Sequence, residues 1–434
     1  MNALTIDSMK TLNINERVAV NSISVRGRVF FANVLLCFIC GNVALDFATG
    51  LLGLSSISQV LRMCLFAFLL YVELRLDKTG FCLLFSATTA IITQSALTQL
   101  FSREGLVLSS LLYDVGMGIK LLLVFSIYLA ANSLIQCGAL TVKRIRKAIS
   151  IAAIYVPILY LSSVAFGIGE SSYWDGSGYK SVFSSLNSVN VAMIVLFAFS
   201  TDAFLHQKRK IWFIPMSLNL VSLMMLGTKA GYVFTFIILM YYLAIPPETR
   251  LRNILIGSLI FILLLLAIDN IPFLNNLLSK VSTRQSYLFE NRSLIDFITS
   301  GRTWMLAEAA ELFSSRANHL AVFFGDGYYV FHHELAEVSG YLSTASVRPI
   351  EFDWADLFFS YGAPLSMLIY LFLLNKLHDA WRDRRQNRFQ FIALLCLLTF
   401  SSIGGHVLFE AISSMTLGSV LACISKDKND EQQI

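Results

Sequence analysis

The chain has 434 residues, of which 56% are hydrophobic and only 14% charged, against about 25% charged in soluble globular proteins. With a mean hydropathy of +0.67, a soluble enzyme is excluded. The formal net charge of +5 sits mostly in short segments beside apolar runs, so it reports orientation in a bilayer rather than affinity for nucleic acid.

A helix needs about 20 apolar residues to cross the hydrocarbon core, and apolar runs recur along the chain, as at 254–268 and 367–374. Residues 1–28 are polar and lack the short-core, small-residue pattern of a cleaved signal. The first run, from Val29, therefore reads as an uncleaved anchor. Breaking the runs at Pro, Gly and charge clusters places twelve helices, at 29–48, 58–74, 80–101, 109–135, 148–168, 183–204, 211–227, 230–246, 253–270, 354–375, 389–403 and 404–424. The fold class expected is an all-α polytopic membrane protein, one integral domain over 1–434 with tails at 1–28 and 426–434.

Lys and Arg should gather in alternate loops on the cytoplasmic side. They do so at 10–28, 75–78, 143–147, 208–210, 250–252, 376–388 and 426–428, which puts both termini in the cytoplasm. The cysteines lie in or beside apolar segments, so disulfides are not expected, and Cys37 with Cys40 reads as core packing.

One connection stands apart. Residues 271–352 separate the ninth and tenth helices on the outer face, far longer than the loops of about 15 residues at which a connection becomes functional or disordered. Its apolar-periodic stretch at 294–313, broken at Gly301, its Gly325-Asp326-Gly327 turn and its aromatics Trp304, Tyr328 and Tyr329 argue for order. Short helices packed on the outer mouth of the bundle are expected there.

This loop holds Lys280, Arg284, Arg292, Arg302, Arg316 and Arg348 in a chain otherwise sparing with outer cations. Arg offers a planar fork suited to phosphate, and the alternative is a surface that meets solvent or lipid headgroups. Lys229, in Gly227-Thr228-Lys229-Ala230-Gly231, sits at an outer turn whose glycines admit close approach of a ligand. Lys120, six residues after Asp114, is as readily a snorkelling lysine as a ligand. His406 and Glu410 are four apart in the last helix and would share a face, either as a pair bridging helices or as a proton-handling pair in a cavity. Asp353 and Asp356 have the spacing of a helix cap with its third-position partner, which leaves Glu351 outside the helix as a candidate general base on a sugar hydroxyl. The adjacent His332 and His333 are weaker candidates for a base. Metal ligation by Glu351, Asp353 and Asp356 has no spacing in its favour.

These motifs together resemble the O-antigen polymerase (Wzy) group of bacterial surface-polysaccharide polymerases, related to the O-antigen ligases. Gly227 to Gly231 looks like the group's basic glycine turn, with Lys where Arg is usual. Ser300-Gly301-Arg302-Thr303-Trp304 looks like its loop motif with the Trp one residue early. Phe324-Gly325-Asp326-Gly327 looks like the G-x-G that follows. Glu351-Phe352-Asp353-Trp354-Ala355-Asp356 with Tyr361-Gly362 looks like the entry into the next helix, and Gly405-His406 stands where a late histidine is often seen.

The resemblance implies a GT-C-like bundle with a large periplasmic loop in the bacterial inner membrane. It implies a glycosyltransferase whose donor and acceptor are undecaprenyl-diphosphate-linked oligosaccharides, with bilayer lipid, a chain-length regulator and a flippase as further partners and no nucleic acid. Transfer with inversion needs cations on the leaving diphosphate and a base near the acceptor hydroxyl. Arg284, Arg292, Arg302, Arg348 and Lys229 are the diphosphate candidates. Glu351 comes first for the acceptor, followed by His406 and Asp353, with Asp356, Glu410, Trp304, Gly325 and Gly327 in support. A diphosphate leaves readily, so no metal or other cofactor is called for. The rivals are a ligase acting on lipid A core through a loop histidine, and a transporter or flippase of lipid-linked glycan.

Overall fold

The computed structural model describes residues 23–102, 105–173, 175–245, 251, 255, 272–291, 293–316, 320–340 and 347–424. The expected ninth helix at 253–270, Arg292 and the tail at 426–434 lie outside the described residues, as does 1–22 of the first tail. The chain runs through α1 (Val25–Leu51), α2 (Ser55–Leu76), α3 (Lys78–Leu100), α4 (Leu108–Gln136) and α5 (Val142–Ala165) to a two-stranded antiparallel ribbon, β1 (Glu170–Ser171) and β2 (Tyr179–Ser181). It continues through α6 (Leu186–Thr201), α7 (Phe213–Leu226) and α8 (Lys229–Ala244).

After α8, the described chain resumes as α9 (Pro272–Asn291), α10 (Leu294–Ile298), α11 (Arg302–Ser315), α12 (Ala321–Phe324) and α13 (Tyr328–Val338). It closes with α14 (Asp353–Arg382), α15 (Arg388–Ile403) and α16 (Ala411–Ala422). Among the described residues, seven helices are long and apolar enough to cross a membrane: α1 to α5, α6 with its continuation to His206, and α14. The helices α7, α8, α15 and α16 are apolar and shorter. The core is carried by α4, α6 and α16, whose side chains are buried around much of their circumference, as expected of helices enclosed on all sides.

Several expectations need correction. The first helix begins at Val25 rather than Val29, because Ser24 accepts the Gly27 N–H at 3.2 Å and starts it earlier. The all-α class stands, and within it one short ribbon, β1–β2, forms where Gly169 and Gly178 take positive φ. A Cβ at Gly169 would stand 2.3 Å from the Ser181 carbonyl carbon. Cys37 is exposed rather than packed in the core, whereas the half-buried Cys40 does pack against it. The loop holds one helix of 20 residues, α9, beside its short ones.

The expected helix at 404–424 starts only at Ala411, so His406 and Glu410 do not share a helical face. Residues 404–410 stay irregular because their backbone is answered by side chains. Asp353 takes the N–H groups of Val407 and Leu408, and the hydroxyls of Ser413 and Ser414 take the carbonyls of Val407 and Leu408.

α14 is broken at Gly362, whose φ of 82° and ψ of 170° are not helical, and Pro364 follows. Pro364 has no N–H to give the Ser360 carbonyl. The Gly325-Asp326-Gly327 turn fills the gap: the Asp326 N–H donates to Phe359 O at 2.9 Å and the Gly327 N–H to Ser360 O at 3.1 Å. Gln94 adds its amide to Ser360 O at 2.5 Å. The turn therefore fastens the loop helices to α14 and α3. We call this end of the bundle the loop end.

Candidate functional site

Four segments converge at the loop end. Asp353 and Asp356, on the first turn of α14, are wholly buried, and His406 is only 5% exposed. They are not the expected capping pair. Asp353 turns to the 404–410 segment, with Oδ2 accepting from the N–H groups of Val407 at 2.8 Å and Leu408 at 3.0 Å and Oδ1 standing 3.5 Å from His406 Nδ1. Asp356 reaches back to the chain before its helix, accepting the N–H groups of Ile350 at 3.0 Å and Glu351 at 3.1 Å. A carboxylate that accepts several N–H groups is fixed in place. It also stands 3.7 Å from His406 Nε2.

His332, set aside in the sequence, closes the far side of Asp356. Its Nε2 lies 2.7 Å from Asp356 Oδ1 and its Nδ1 2.8 Å from Tyr328 O, with the Tyr328 ring stacked on it at 4.2 Å. Both ring nitrogens lie within hydrogen-bond distance of oxygens, which fixes the orientation of the ring against Asp356. The sequence signal that finds it is the Tyr328-Tyr329-Val330-Phe331-His332-His333 run, which at helical spacing puts Tyr328 over His332.

Glu351 stands in front of this buried layer in the left-handed region, with φ of 66°, a conformation that a non-glycine residue adopts under constraint. Its N–H bond to Asp356 supplies that constraint. Arg302, at the start of α11 after Ser300 and Gly301 with φ of 58° and 81°, lays its fork on Glu351: Nε donates to Oε2 at 2.8 Å, and one terminal nitrogen donates to the same oxygen. Burial alone would raise the Glu351 carboxyl, but Arg302, with His406 and Arg348 behind it, holds it below the ordinary value. For His406, burial opposes protonation, yet Asp353, Asp356 and Glu351 outweigh it and lift its pKa to about 9.

The other expected cations fall into two groups. Arg284 lies 3.6 Å over the Tyr173 ring and 3.0 Å from Asp175, and the Tyr173 phenol feels both Arg284 and Arg302, so the two guanidiniums face one region. Lys229 follows the left-handed Gly227 and donates to Phe297 O at 2.5 Å, just before the Arg302 turn. Arg348 acts on Glu351, and Lys280 comes close to Gly176 of the hairpin. Arg316 does not join them. It bridges Asp326 at 2.7 Å and Glu334 at 2.5 Å, beside a groove of about 1090 Å³ between α3 and the loop helices. Trp304 sits 39% exposed on α11, and Lys120 turns to the Met117 sulfur at 3.5 Å.

Glu410 precedes α16 and accepts from Ser188 Oγ at 3.3 Å, within the field of Arg62. Arg62 is buried against Asp46 at 3.5 Å, Ser58 at 2.5 Å and Asn42 at 3.3 Å. Asn42 in turn donates to Ile412 O at 3.1 Å, so this layer holds the start of α16 from beneath. Among the described residues no three His, Cys, Asp or Glu side chains are grouped to hold a metal ion. Glu351, Asp353 and Asp356 are each directed to a different partner.

In chemical terms, with Arg284 nearby over Tyr173 and paired with Asp175, the arrangement is a set of cations, Arg302, Arg348 and the His406 imidazolium, acting on one carboxylate, Glu351. Two fully buried aspartates anchor it from behind. Compared with known proteins, the chain matches no family model and no curated protein.

Proposed function

We propose that this chain is a membrane glycosyltransferase of the surface-polysaccharide polymerase type, which joins undecaprenyl-diphosphate-linked oligosaccharide repeats. The reading includes about twelve membrane spans, a GT-C-like bundle, residues 271–352 on the periplasmic side of a bacterial inner membrane, and cytoplasmic termini. The observation that carries it is the pairing of Arg302 and Glu351 on the His406–Asp353–Asp356 layer at the end of a bundle of apolar helices. A donor with an anionic leaving group and an acceptor with a neutral hydroxyl calls for this combination.

In this mechanism Arg302, Arg284 and the imidazolium of His406 receive the diphosphate, with Lys229 and Arg348 adding positive potential. The acceptor oxygen bonds to the anomeric carbon as the bond from that carbon to the phosphate oxygen breaks. Glu351 takes the hydroxyl proton as the new bond forms. Its low proton affinity suits a late transfer, when the hydroxyl has become acidic. His406 acts here as a cation rather than as the base expected from sequence, because its neighbours keep it protonated.

A ligase working through a loop histidine is less well supported, since His332 is wholly buried beneath Tyr328 and engaged with Asp356. The test is deletion of the gene in its host, followed by gel analysis of lipopolysaccharide or capsule with complementation. Collapse of a long ladder to a single repeat, rescued by wild type but not by Arg302→Ala or Glu351→Ala, is the expected result. An unchanged ladder overturns the reading. Accumulation of long lipid-linked polymer with none on core means ligase.

A further inference from the structure

A second cavity, of about 220 Å³, lies between the end of α3, the start of α4 and the opposite face of α13, apart from the Arg302–Glu351 pair. We propose that it is a saccharide subsite, which takes a neutral or amine-bearing sugar ring and rejects an acidic one. The identity of the ligand rests on the glycosyltransferase reading; the existence of the site rests on the following geometry.

The first element is Gln99, which lines the cavity and is only 1% exposed. Its Nε2 donates to Asp114 Oδ2 at 2.9 Å. An ionised carboxylate only accepts, so the amide cannot be turned round. The Oε1 is therefore left buried without a hydrogen-bond partner in the protein. Buried acceptors are nearly always answered, and the side chain that carries this one is part of the cavity wall.

The second element is an aromatic platform. The Tyr329 ring lies parallel to His333 at 5.3 Å, with an interplanar angle of 9°, and Tyr113 meets Tyr329 edge-on at 6.0 Å. A flat, braced ring presents its negative face to the C–H side of a pyranose. The third element is the rim. Glu337 adds a carboxylate acceptor and Ser110 a hydroxyl, while the Glu334 carboxylate beside them is already paired with Arg316. Such a rim matches a ligand rich in O–H or N–H donors and repels a uronic acid.

The helix α13 joins the two sites. Tyr328 and His332 form one stacked pair four residues apart, directed at Asp356; Tyr329 and His333 form the next, directed at the cavity. Asp114 links the same parts, accepting the Tyr329 N–H at 2.5 Å and the Gln99 amide. A sugar held here rests on the face of α13 adjoining the one that sets Asp356 and His406, which makes the cavity a place to hold the glycan beyond its reacting end.

The test is saturation-transfer NMR on the full chain in detergent micelles. The probes are the oligosaccharide released by mild acid from the host's lipid-linked repeat, glucosamine and glucuronic acid. Wild type and Glu351→Gln should saturate the ring protons of the oligosaccharide, and Tyr329→Ala should weaken that binding about tenfold. Glu337 is exposed, so Glu337→Gln tests the rim even where Tyr329→Ala fails to fold, and it should weaken glucosamine while admitting glucuronic acid. No saturation with wild type, equal saturation with both variants, or competition by glucuronic acid as strong as by glucosamine overturns the subsite. Polymer of normal length from Tyr329→Ala with unchanged saturation would remove the subsite and leave the polymerase reading intact. Saturation by wild type in a host whose polymer is unaffected by gene deletion would do the reverse.

Discussion

Asp353 holds both the ring of His406 and the backbone that carries it: one carboxylate oxygen stands 3.5 Å from Nδ1, and the other accepts the N–H groups of Val407 and Leu408. Replacement by asparagine keeps the volume but removes the charge that helps to protonate the ring. In Asp353→Asn the His406 imidazole should titrate well below its present value of about 9, followed by NMR of histidine-labelled protein. On the glycosyltransferase reading proposed above, transfer should fall about 100-fold, the scale of losing one preorganised electrostatic contact.

The same group sets a stability window. His406 has a folded pKa raised from 6.5 to about 9, so its contribution is complete below 6.5 and is lost as pH rises through about 9. Glu351 is shifted the other way, so its contribution is present above 4.5 and is lost as pH falls through its depressed value. The melting temperature in detergent should therefore drop on the alkaline side through about 9, and His406→Gln should flatten that limb. An alkaline limb identical in His406→Gln and wild type would contradict the assignment.

Arg302 presents two donors to Glu351, which a lysine cannot reproduce. If the chain is the proposed polymerase, incorporation of labelled sugar into polymer by Arg302→Lys should be at least about tenfold below wild type, close to the level of Arg302→Ala. Recovery to wild-type rates in the lysine variant would show that charge alone suffices.

Two glycines should respond in opposite directions to alanine. At Gly325 a Cβ would come within 2.3 Å of the Ser360 backbone at a φ of 71°, whereas at Gly41, inside α1, nothing lies within 4 Å. Gly325→Ala should cost about 2 kcal/mol or more. Gly41→Ala should gain up to about 1 kcal/mol. Thermal unfolding of both variants under one detergent condition measures the difference.

What could be read from the sequence followed local rules. Apolar runs and their breaks located α1 to α8 and α14 to α15 closely, and Gly325-Asp326-Gly327 declared its turn. The misreadings arose where distant residues decide. Val407 and Leu408 are as apolar as any helix, and only an aspartate 54 and 55 residues away diverts their N–H groups. His332 and Asp356 are 24 residues apart in sequence, and two adjacent histidines give no local sign of which one is buried. Arg316 carries the same charge as Arg302, but Asp326 and Glu334 draw it elsewhere. Glu351 and Arg302 were each singled out separately; that they face each other followed only from the fold.

The break at Gly362 also bears on how the chain is made. The turn at 325–327 emerges from the ribosome before Phe359 and Ser360, so its two N–H groups meet their carbonyl partners only after the first turns of α14 have been synthesised. The loop helices therefore stay unfastened from α14 until its first turns have been made. The same late step brings Asp353 and Asp356 into place beneath Glu351. Assembly of the charged cluster is thereby deferred until the chain is nearly complete, and a truncated product ending just before residue 353 would carry Arg302 and Glu351 without Asp356, which holds the Glu351 backbone.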